Sequence, residues 1–404
     1  MDRTILHCDC NSFFASVEAA INPELKTVPM AVCGSEENRH GIVLAKNELA
    51  KSYGIITTDT VYTARRKCPG LVIVKPHYEE YADYSRRINA IYREYTDIVE
   101  PFGIDESWLD VTSSTRLFGN GEQIAECIRQ RIKKEIGVTV SIGVSFNKPF
   151  AKLGSDYKKP DAITVISREN FKTIVYPLPV GDLLFVGSKT ASELNKIGVR
   201  TIGELAELEF EFLLSRFGKM GSLLYSYSRG LDESPVLSDA DREDAKSISN
   251  GFTFKYDLTN KEQCRTAIDY LCDEIGYKLR SKEMKCTTVT LTVKDVYLKS
   301  IQRQRRLESE TDISSEISNT AFSILCDSWP DGKAIRMITV GASGLIHSAS
   351  EATQLDIFGA VDEKERERKR NVEKTVDMLR QKFGQSCVVR GSILQNNFGL
   401  GDDE

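Results

Sequence analysis

Secondary-structure patterning divides the first 145 residues into a strand, a helix, two strands, a second helix and a last strand. An apolar run at residues 4–10 predicts the first strand, and apolar side chains recur with helical period over residues 78–95. Asn120 can cap the second helix, which ends at Gly137. This βαββαβ order predicts a ferredoxin-like α+β sheet, with residues 15–75 inserted as a separate lobe.

The rest of the chain divides into further segments. At 404 residues the chain exceeds the size at which a single hydrophobic core stops growing. A helical segment is followed by an acidic linker, by a second unit of βαββαβ order, and by a tail with a highly charged helix at residues 363–383. The predicted boundaries, in chain order, are 1–167, 168–232, 233–245, 246–345 and 346–404.

Composition excludes some classes of protein. The chain is 41% hydrophobic and 28% charged, which is ordinary for a globular protein. It has no run of about 18 apolar residues, and its first residues lack the pattern of a signal peptide, so we expect no membrane span and no secretion. Its ten cysteines form no CxxC pair, which is typical of reduced thiols in a cytoplasmic protein.

The distribution of charge leaves room for a nucleic-acid partner, although the net charge is −5. Residues 278–306 contain nine basic and two acidic side chains, while acidic residues are concentrated in 232–244 and at the end of the chain. A local basic surface can therefore exist on an acidic protein. The alternative for this segment is an ordinary solvated, charged face.

Three carboxylates are predicted to meet at one edge of the first sheet. Asp9 ends the first strand, and Asp105 and Glu106 lie at the turn of the central hairpin. Three oxygen donors suit Mg²⁺, and two such ions can activate a hydroxyl and neutralise a leaving pyrophosphate. Because adjacent strand residues point to opposite faces, Asp105 and Glu106 can share a metal only if the turn or a bulge breaks the alternation. Taken alone, an Asp-Glu pair is also ordinary turn chemistry.

Three segments resemble the motifs of Y-family DNA polymerases of the DNA polymerase IV type. They are Asp9–Glu18, Ile104–Asp110, and the stretch that runs from Gly143 through Asp156 to Pro160. Their order and spacing are similar to those of the family across the first 345 residues. The resemblance implies an α+β right-hand polymerase. It would have a ferredoxin-like palm with small inserted fingers, a helical thumb from residue 168 and a βαββαβ little finger from residue 246.

The resemblance also implies the metal ligands. Asp9 and Asp105 would bridge two Mg²⁺ ions, for which Mn²⁺ can substitute. Glu106 would hold the ion on the primer side. Cys10 would contribute only its backbone carbonyl.

Nucleotide contacts follow from the same resemblance. Phe13 and Phe14 would lie at the nucleotide, and Phe14 would be the steric gate whose ring collides with a ribose 2′-hydroxyl. The alternative for Phe14 is a core aromatic residue. Lys159 would bind the triphosphate, and the neighbouring Lys158 is an alternative.

The fingers depart from the family pattern. Many relatives carry a Tyr and an Arg that touch phosphates, and this chain has Glu48 and Lys51 at those positions. Lys51 can still act as a point charge in nucleotide binding. Glu48 would repel a phosphate, so we expect it to turn away from the site, and Lys46 is a weaker candidate for the missing contact. The departure motivates an alternative function: a catalytically weakened relative that binds DNA and the clamp.

DNA contacts are implied in two domains. Residues 184–203 resemble a helix-hairpin-helix of the thumb, in which Gly187 and Lys189 would meet a DNA phosphate. The usual pair of glycines is reduced to Gly187, with Phe185 in the other place. The little-finger candidates, which would follow the DNA backbone without reading bases, are Lys246, Arg303 and Arg305.

The tail contains a short segment, Gln354-Leu355-Asp356-Ile357-Phe358, that closely resembles the bacterial sliding-clamp-binding motif. Leu355, Ile357 and Phe358 would fill an apolar groove of the clamp, while Gln354 would fix the register by hydrogen bonds. The alternative is a strand that packs on its own domain.

Together these features predict a template-directed DNA polymerase that adds deoxynucleotides to a primer 3′ end by two-metal nucleotidyl transfer. The family implies translesion synthesis with low processivity and low fidelity. The expected partners are primer-template DNA, dNTP and the bacterial sliding clamp, and the expected state is a cytoplasmic monomer. A nucleotidyl cyclase on the same palm is a third possibility, against which the little finger and the clamp segment speak.

Overall fold

A computed structural model describes residues 2–35, 41–241, 243–348, 360–394 and 398–400. Contacts divide the chain into two units: Met1–Gly34 with Ile42–Arg242, and Glu243–Glu404 with Ser35–Gly41. Within the described residues, no helix is both long and apolar enough to cross a membrane.

The first unit mixes short strands and helices. In chain order they are β1 (Ile5–Cys10), α1 (Phe13–Ile21), β2 (Met30–Cys33), β3 (Val43–Lys46), α2 (Glu48–Ser52), α3 (Val61–Lys67), β4 (Val72–Val74), α4 (Tyr78–Arg93), β5 (Val99–Pro101), β6 (Glu106–Asp110), α5 (Thr115–Phe118), α6 (Gly121–Arg131), β7 (Val140–Ser145), α7 (Lys148–Tyr157), β8 (Ile163–Ile166), α8 (Phe171–Val175), α9 (Ser188–Lys196), α10 (Ile202–Glu207), α11 (Phe210–Phe217) and α12 (Lys219–Ser228).

Five strands of this unit form one sheet in the order β5-β6-β1-β7-β8. Strand β1 is antiparallel to both of its neighbours, and β8 adds an edge that runs parallel to β7. Strands β5, β6, β1 and β7 have the ferredoxin-like arrangement that the βαββαβ order predicts. Asn120 forms the predicted cap of α6 as part of a capping box, and the helical turns that follow end at Gly137, with φ 84°.

The inserted lobe has a sheet of its own, in the order β3-β2-β4. With α2 and α3 it encloses an apolar cluster that includes Val43, Ile55 and Val61. The expected start of the lobe near residue 15 lies inside α1, and Val17 of that helix packs into the core of the five-stranded sheet. The separate cluster therefore begins after α1, because the apolar face of α1 belongs to the larger core.

Helices α8–α12 surround a third apolar core in the same unit. The acidic segment that follows them, expected to be a linker, packs against the five-stranded sheet. Val236 is buried beside Ile5 and Trp108, and the N–H of Leu237 donates a 2.8 Å hydrogen bond to Glu100. Buried apolar area, several hydrogen bonds and an ion pair between Arg93 and Asp239 hold this stretch, although its composition is that of a linker.

The second unit contains the remaining elements. They are β9 (Ser247–Leu258), α13 (Lys261–Ser281), β10 (Met284–Asp295), β11 (Ser300–Thr311), α14 (Ser314–Ser328), β12 (Ile335–His347), α15 (Ala360–Phe383) and α16 (Gly391–Leu394). The strands form an antiparallel sheet in the order β11-β10-β12-β9. The βαββαβ order of the chain is repeated, but here the second and fourth strands lie in the centre. Helices α13 and α14 cover one face of this sheet.

Ion pairs attach the charged tail helix α15 to this unit. The Arg280 side chain of α13 is 5% exposed and contacts both Glu373 and Asp377 of α15. Glu373 also accepts hydrogen bonds of 3.0 Å from the backbone N–H and the hydroxyl of Ser314, at the start of α14. A buried polar network of this kind is costly to break on one side, so α15 is an integral element of the second unit.

Candidate active site

Three carboxylates lie at one end of the central strands. Asp9 of β1 is the register partner of Glu106, the first residue of β6. Asp105 precedes β6, and its backbone oxygen accepts a 3.0 Å hydrogen bond from the N–H of Cys10. Asp105 lies in the turn before β6, where the alternation of side chains between the two strand faces does not apply. Its side chain can therefore lie on the same side as that of Glu106. All three side chains line one cavity of about 380 Å³.

Two lysine ammonium groups stand among these carboxylates. The Nζ of Lys159 is 2.6 Å from Oδ2 of Asp9. The Nζ of Lys152 is 3.1 Å from the same oxygen and 2.9 Å from Oε2 of Glu106. Asp156 lies 2.7 Å from Lys159 and 3.3 Å from Lys152. The sequence analysis did not select Lys152, because the packing of α7 on β1, rather than sequence spacing, brings it to Asp9.

These ammonium groups take the positions that cations would need. Within the described part of the chain, no group of three or more His, Cys, Asp or Glu side chains is spaced as a ready-made metal site. The donor chemistry nevertheless fits Mg²⁺, because three carboxylates share one cavity and Lys152 and Lys159 lie against two of them. A divalent cation here would replace contacts that Lys152 and Lys159 make with Asp9 and Glu106.

The electrostatic environment differs sharply between neighbouring carboxylates. Burial raises the pKa of Asp105 to about 6, and the negative charges of Asp9 and Glu106 add to the rise. Burial would also raise the pKa of Glu106, but its close contacts with His7 and Lys152 outweigh burial and lower that pKa to about 2. Asp105 therefore has the least positive charge around it and would gain most from a bound cation.

The predicted steric gate lies in an aromatic cluster. The ring of Phe14 stacks on Tyr81 with centroids 4.2 Å apart, and it meets Tyr78 edge-on at 6.2 Å. Phe13 is 3% exposed and belongs to the core of the five-stranded sheet, although it also lines the cavity. The stack fixes the orientation of the Phe14 ring, which a steric gate requires.

Three lysines also line the cavity: Lys46, Lys51 and Lys159. Glu48 lines it too, with Oε2 at 3.6 Å from Nζ of Lys51, so the expectation that Glu48 turns away from the site is wrong. The reason is that positions i and i+3 of α2 are neighbours, and the acid partly neutralises Lys51. Lys46 donates a 3.1 Å hydrogen bond to Thr57, and burial together with the charge of Lys51 lowers its pKa.

The residues of the predicted helix-hairpin-helix lie where α9 begins. Gly187 is the residue before α9, and Lys189 lies in the first turn of that helix. Phe185, in place of a glycine, has φ 67°, which non-glycine residues rarely adopt, and its side chain is 50% exposed. The hairpin thus keeps a glycine-like conformation at a position where the sequence has a large aromatic residue.

Two of the proposed DNA contacts lie on the helix-covered side of the second sheet. Arg303 and Arg305 of β11 pair across the ladder with Leu291 and Val289, whose side chains are buried under the helices. Arg305 accordingly contacts Asp327 of α14 at 2.7 Å. The alternation of strand residues, which the sequence analysis did not apply to this strand, separates these arginines from the open face.

The open face of this sheet is polar. Arg306 pairs with Thr288, and Gln304 pairs with Thr290, on the side away from the helices. Arg306 is therefore the β11 arginine on the open face, and strand alternation could have identified it from the sequence. Lys246, immediately before β9, is exposed and pairs with Glu243 at 2.9 Å.

The predicted clamp-binding residues, Gln354, Leu355, Ile357 and Phe358, lie outside the described residues. The described chain reaches the end of β12 and resumes in α15. The clamp segment therefore stays a prediction from the sequence.

Models of protein families match three parts of the chain. The impB/mucB/samB family matches residues 8–156, and the C-terminal domain of that family matches residues 245–357. A model described as the DNA polymerase-iota thumb domain matches residues 181–232. These ranges contain the carboxylate site, the helix-hairpin-helix and the second sheet.

Curated relatives are similar to the chain over its length. The DNA polymerase IV of Acetivibrio thermocellus is 48% identical over 98% of this chain and 98% of its own. That of Moorella thermoacetica is 37% identical over 97% of this chain and 96% of its own. A solved Y-family DNA polymerase chimera of Dbh and Dpo4 has the same fold, with a TM-score of 0.75 at 22% identity, covering 85% of this chain and 99% of that one.

Proposed function

The chain belongs to the impB/mucB/samB family, the Y-family DNA polymerases of the DNA polymerase IV type, and from this premise we propose that it extends a DNA primer opposite a damaged template. Its substrates are primer-template DNA and deoxynucleoside triphosphates. The observation that carries the proposal is that Asp9, Asp105 and Glu106 share one cavity with Lys159 and the stacked ring of Phe14.

Three carboxylates and a backbone carbonyl would hold two Mg²⁺ ions, with Mn²⁺ as a substitute. Asp9 and Asp105 would contact both ions, Glu106 the ion on the primer side, and Cys10 would contribute its carbonyl oxygen. When bound, the ions would supply the positive charge that activates the primer 3′-hydroxyl and stabilises the leaving pyrophosphate. The raised pKa of Asp105 is consistent with this assignment, because it reflects burial of the carboxyl group and the nearby negative charges of Asp9 and Glu106.

The protein's own side chains would position the nucleotide. Lys159 and Lys51 would bind the triphosphate as point charges, and Lys46 would add a third ammonium group on the same wall of the cavity. Phe14 would exclude ribose. The ring of Phe13 would pack against the ring of Phe14, with centroids 5.9 Å apart. The catalytic contribution of the protein is mostly positioning and charge stabilisation.

DNA would be held through its phosphates. The N–H groups around Gly187 and Lys189 would meet one strand, as the open end of a helix does. The open face of the second sheet offers hydroxyl groups and Arg306, which suit phosphate contacts without base recognition, and Lys246 adds charge at its edge. Arg303 and Arg305 would act more weakly, since Arg305 is engaged by Asp327.

A bacterial sliding clamp would tether this monomeric, cytoplasmic enzyme through Gln354, Leu355, Ile357 and Phe358. The motif itself supports the proposal. A Phe358→Ala variant should lose the stimulation that a loaded clamp gives on a primed circular template, while it extends a short linear primer normally. Equal stimulation of both proteins would refute the tether.

Primer extension with Mg²⁺ tests the enzymatic proposal. The protein should add nucleotides on undamaged and damaged templates, and Asp105→Ala should add none. DNA and clamp binding without incorporation would instead select the catalytically weakened relative, the alternative that Glu48 motivates. Incubation with nucleotide but no DNA excludes a cyclase if no cyclic product forms.

A further inference from the structure

His7 is a fully buried residue of β1 and lies two positions before Asp9. The proposed mechanism gives His7 no role. Its ring meets Trp108 edge-on, with centroids 5.0 Å apart, and its relative exposure is 0%. Its register partner on the other side is Gly143, where a Cβ would come within 1.9 Å of the backbone oxygen of Ala151. This close approach of α7 to the sheet encloses the imidazole on all sides.

Both ring nitrogens face polar groups. Nδ1 lies 2.8 Å from Oγ of Ser155, a residue of α7. Nε2 lies 3.3 Å from Oε2 of Glu106. The hydroxyl of Ser155 can donate either to His7 or to the backbone oxygen of Lys152, which is also 2.8 Å away.

The Nε2 of His7 and the Oε2 of Glu106 are unsatisfied together. Within the described residues, each is buried without a well-aligned hydrogen bond, even though Lys152 forms an ion pair with the same oxygen. A buried polar atom left without a partner costs about 1–3 kcal/mol. The two atoms are 3.3 Å apart, so a proton on Nε2 that points at Oε2 would give each of them a partner.

A proton on Nε2 is favoured, because a bare Nε2 would place two acceptors 3.3 Å apart in a buried site. Nδ1 then accepts the hydroxyl proton of Ser155. In this arrangement each of the three groups has a partner.

We propose that His7 is a positioning residue for Glu106: its Nε2–H fixes Oε2 of the carboxylate, which leaves Oε1 as the oxygen for the primer-side cation. The inference rests on the proposed function. It assigns to Lys152 a complementary role, since that ammonium group neutralises the same oxygen in the metal-free protein. His7 does not touch substrate and acts through Glu106 alone.

Two substitutions at this position separate positioning from simple space filling. His7→Gln places an amide N–H near the position of Nε2 and can still donate to Glu106. His7→Asn reaches only the position of Nδ1, so it keeps the contact with Ser155 and loses the one with Glu106. Both are neutral, polar and smaller than histidine, and their melting temperatures should fall together.

Metal binding distinguishes the two variants without the need for turnover. Mn²⁺ binding to the DNA-free protein, followed by electron paramagnetic resonance, should be weakened about tenfold in His7→Asn, as for other partners of metal ligands. In His7→Gln it should stay within about threefold of wild type. The Mg²⁺ concentration for half-maximal primer extension should shift in parallel, while KM for dNTP stays unchanged.

A double-mutant cycle tests whether His7 acts through Glu106. In a Glu106→Ala background, where Mn²⁺ binding is already weaker, His7→Asn should cause no further loss. Equal metal affinity of His7→Gln and His7→Asn would overturn the proposal, and so would a full loss on top of Glu106→Ala. If wild type extends primers while either of these results is found, the proposed function stands and only the role of His7 fails.

Discussion

At the scale of single residues, the site is a balance between three carboxylates and the groups that offset their charge. Glu106 is stabilised by His7 and Lys152, and Asp9 by Lys152 and Lys159. Asp105 lacks comparable compensation, and its pKa is raised to about 6. A site prepared for divalent cations has this property, and it reduces the stability of the metal-free protein.

Asp105→Asn should therefore stabilise the metal-free protein while abolishing primer extension. Because the pKa of Asp105 in the fold lies above that of an unfolded aspartate, its ionisation costs stability progressively from about pH 4 and fully above about pH 6. We expect a gain of about 1–2 kcal/mol at pH 8, reduced for partial exposure. The gain should be smaller at pH 5 and vanish below about pH 4, where both states bind the proton.

Urea unfolding in EDTA at pH 8 and pH 5 measures this effect. Asp83→Asn, at a partly exposed position of α4 where the carboxylate pairs with Arg86, serves as the control and should show no such gain. A loss of stability in Asp105→Asn at pH 8, or a gain independent of pH, would contradict the electrostatic account.

Local motifs made the three acids, Phe14 and Lys159 predictable, because each lies at a fixed position in a segment with a recognisable pattern. Lys152 and His7 were missed. Their partners come from the packing of α7 on β1 and from strand register, and neither is visible in residue spacing.

At the scale of elements, β3 and α2 form the part of the cavity that we propose binds the triphosphate. The short helix holds Glu48 next to Lys51, and the strand brings Lys46 to Thr57. These residues could be identified from the sequence, but the direction of the Glu48 side chain could not, because the orientation of the five-residue helix α2 decides which side chains line the cavity.

Glu48→Gln should lower the KM for dNTP about two- to fivefold, since it removes the acid that neutralises Lys51 beside the phosphates. Lys46→Ala should raise that KM by a similar factor, with kcat little changed. Steady-state single-nucleotide insertion measures both. Lys158→Ala is the matched control, because Lys158 does not line the cavity. Unchanged KM in both test variants would remove Lys46 and Glu48 from nucleotide binding.

Strand alternation in β11 gives a second prediction at this scale. Arg306→Ala should weaken DNA binding and reduce the slope of log affinity against log salt by about one, as expected for a lost phosphate contact. Arg305→Ala should change DNA binding less, because its side chain is engaged with Asp327 on the helix side. Fluorescence anisotropy over a salt series compares them, and a larger effect of Arg305→Ala would contradict the assignment of faces.

At the scale of the whole molecule, the carboxylate site belongs to the first unit, and the polar sheet face proposed to contact DNA belongs to the second. Each unit has its own apolar core. Both have a βαββαβ chain order that the sequence predicted. The different strand order of the second sheet was not predictable, since pairing of distant strands depends on which faces are apolar and on the helices that cover them. The tail helix was predictable as a helix, but its attachment through Arg280 was not.

Glu373→Ala should destabilise the second unit by about 2–3 kcal/mol, because it leaves Arg280 partly unpaired and removes the acceptor at the start of α14. Hydrogen exchange should show faster opening of α15 and of the first turn of α14. Glu365→Ala, which removes an exposed pair with Lys369 on the same helix, should change little. Equal effects of the two substitutions would mean that α15 is not held by the Arg280 network.

The most direct measurement of the central claim is single-nucleotide insertion on four templates that differ only in the templating base, as a function of Mg²⁺ concentration. The account predicts that the complementary deoxynucleotide is added in each case and that no addition occurs in EDTA. It also predicts that Asp9→Ala, Asp105→Ala and Glu106→Ala each abolish or severely slow addition. Insertion that ignores the template, or that survives removal of these carboxylates, would contradict the account.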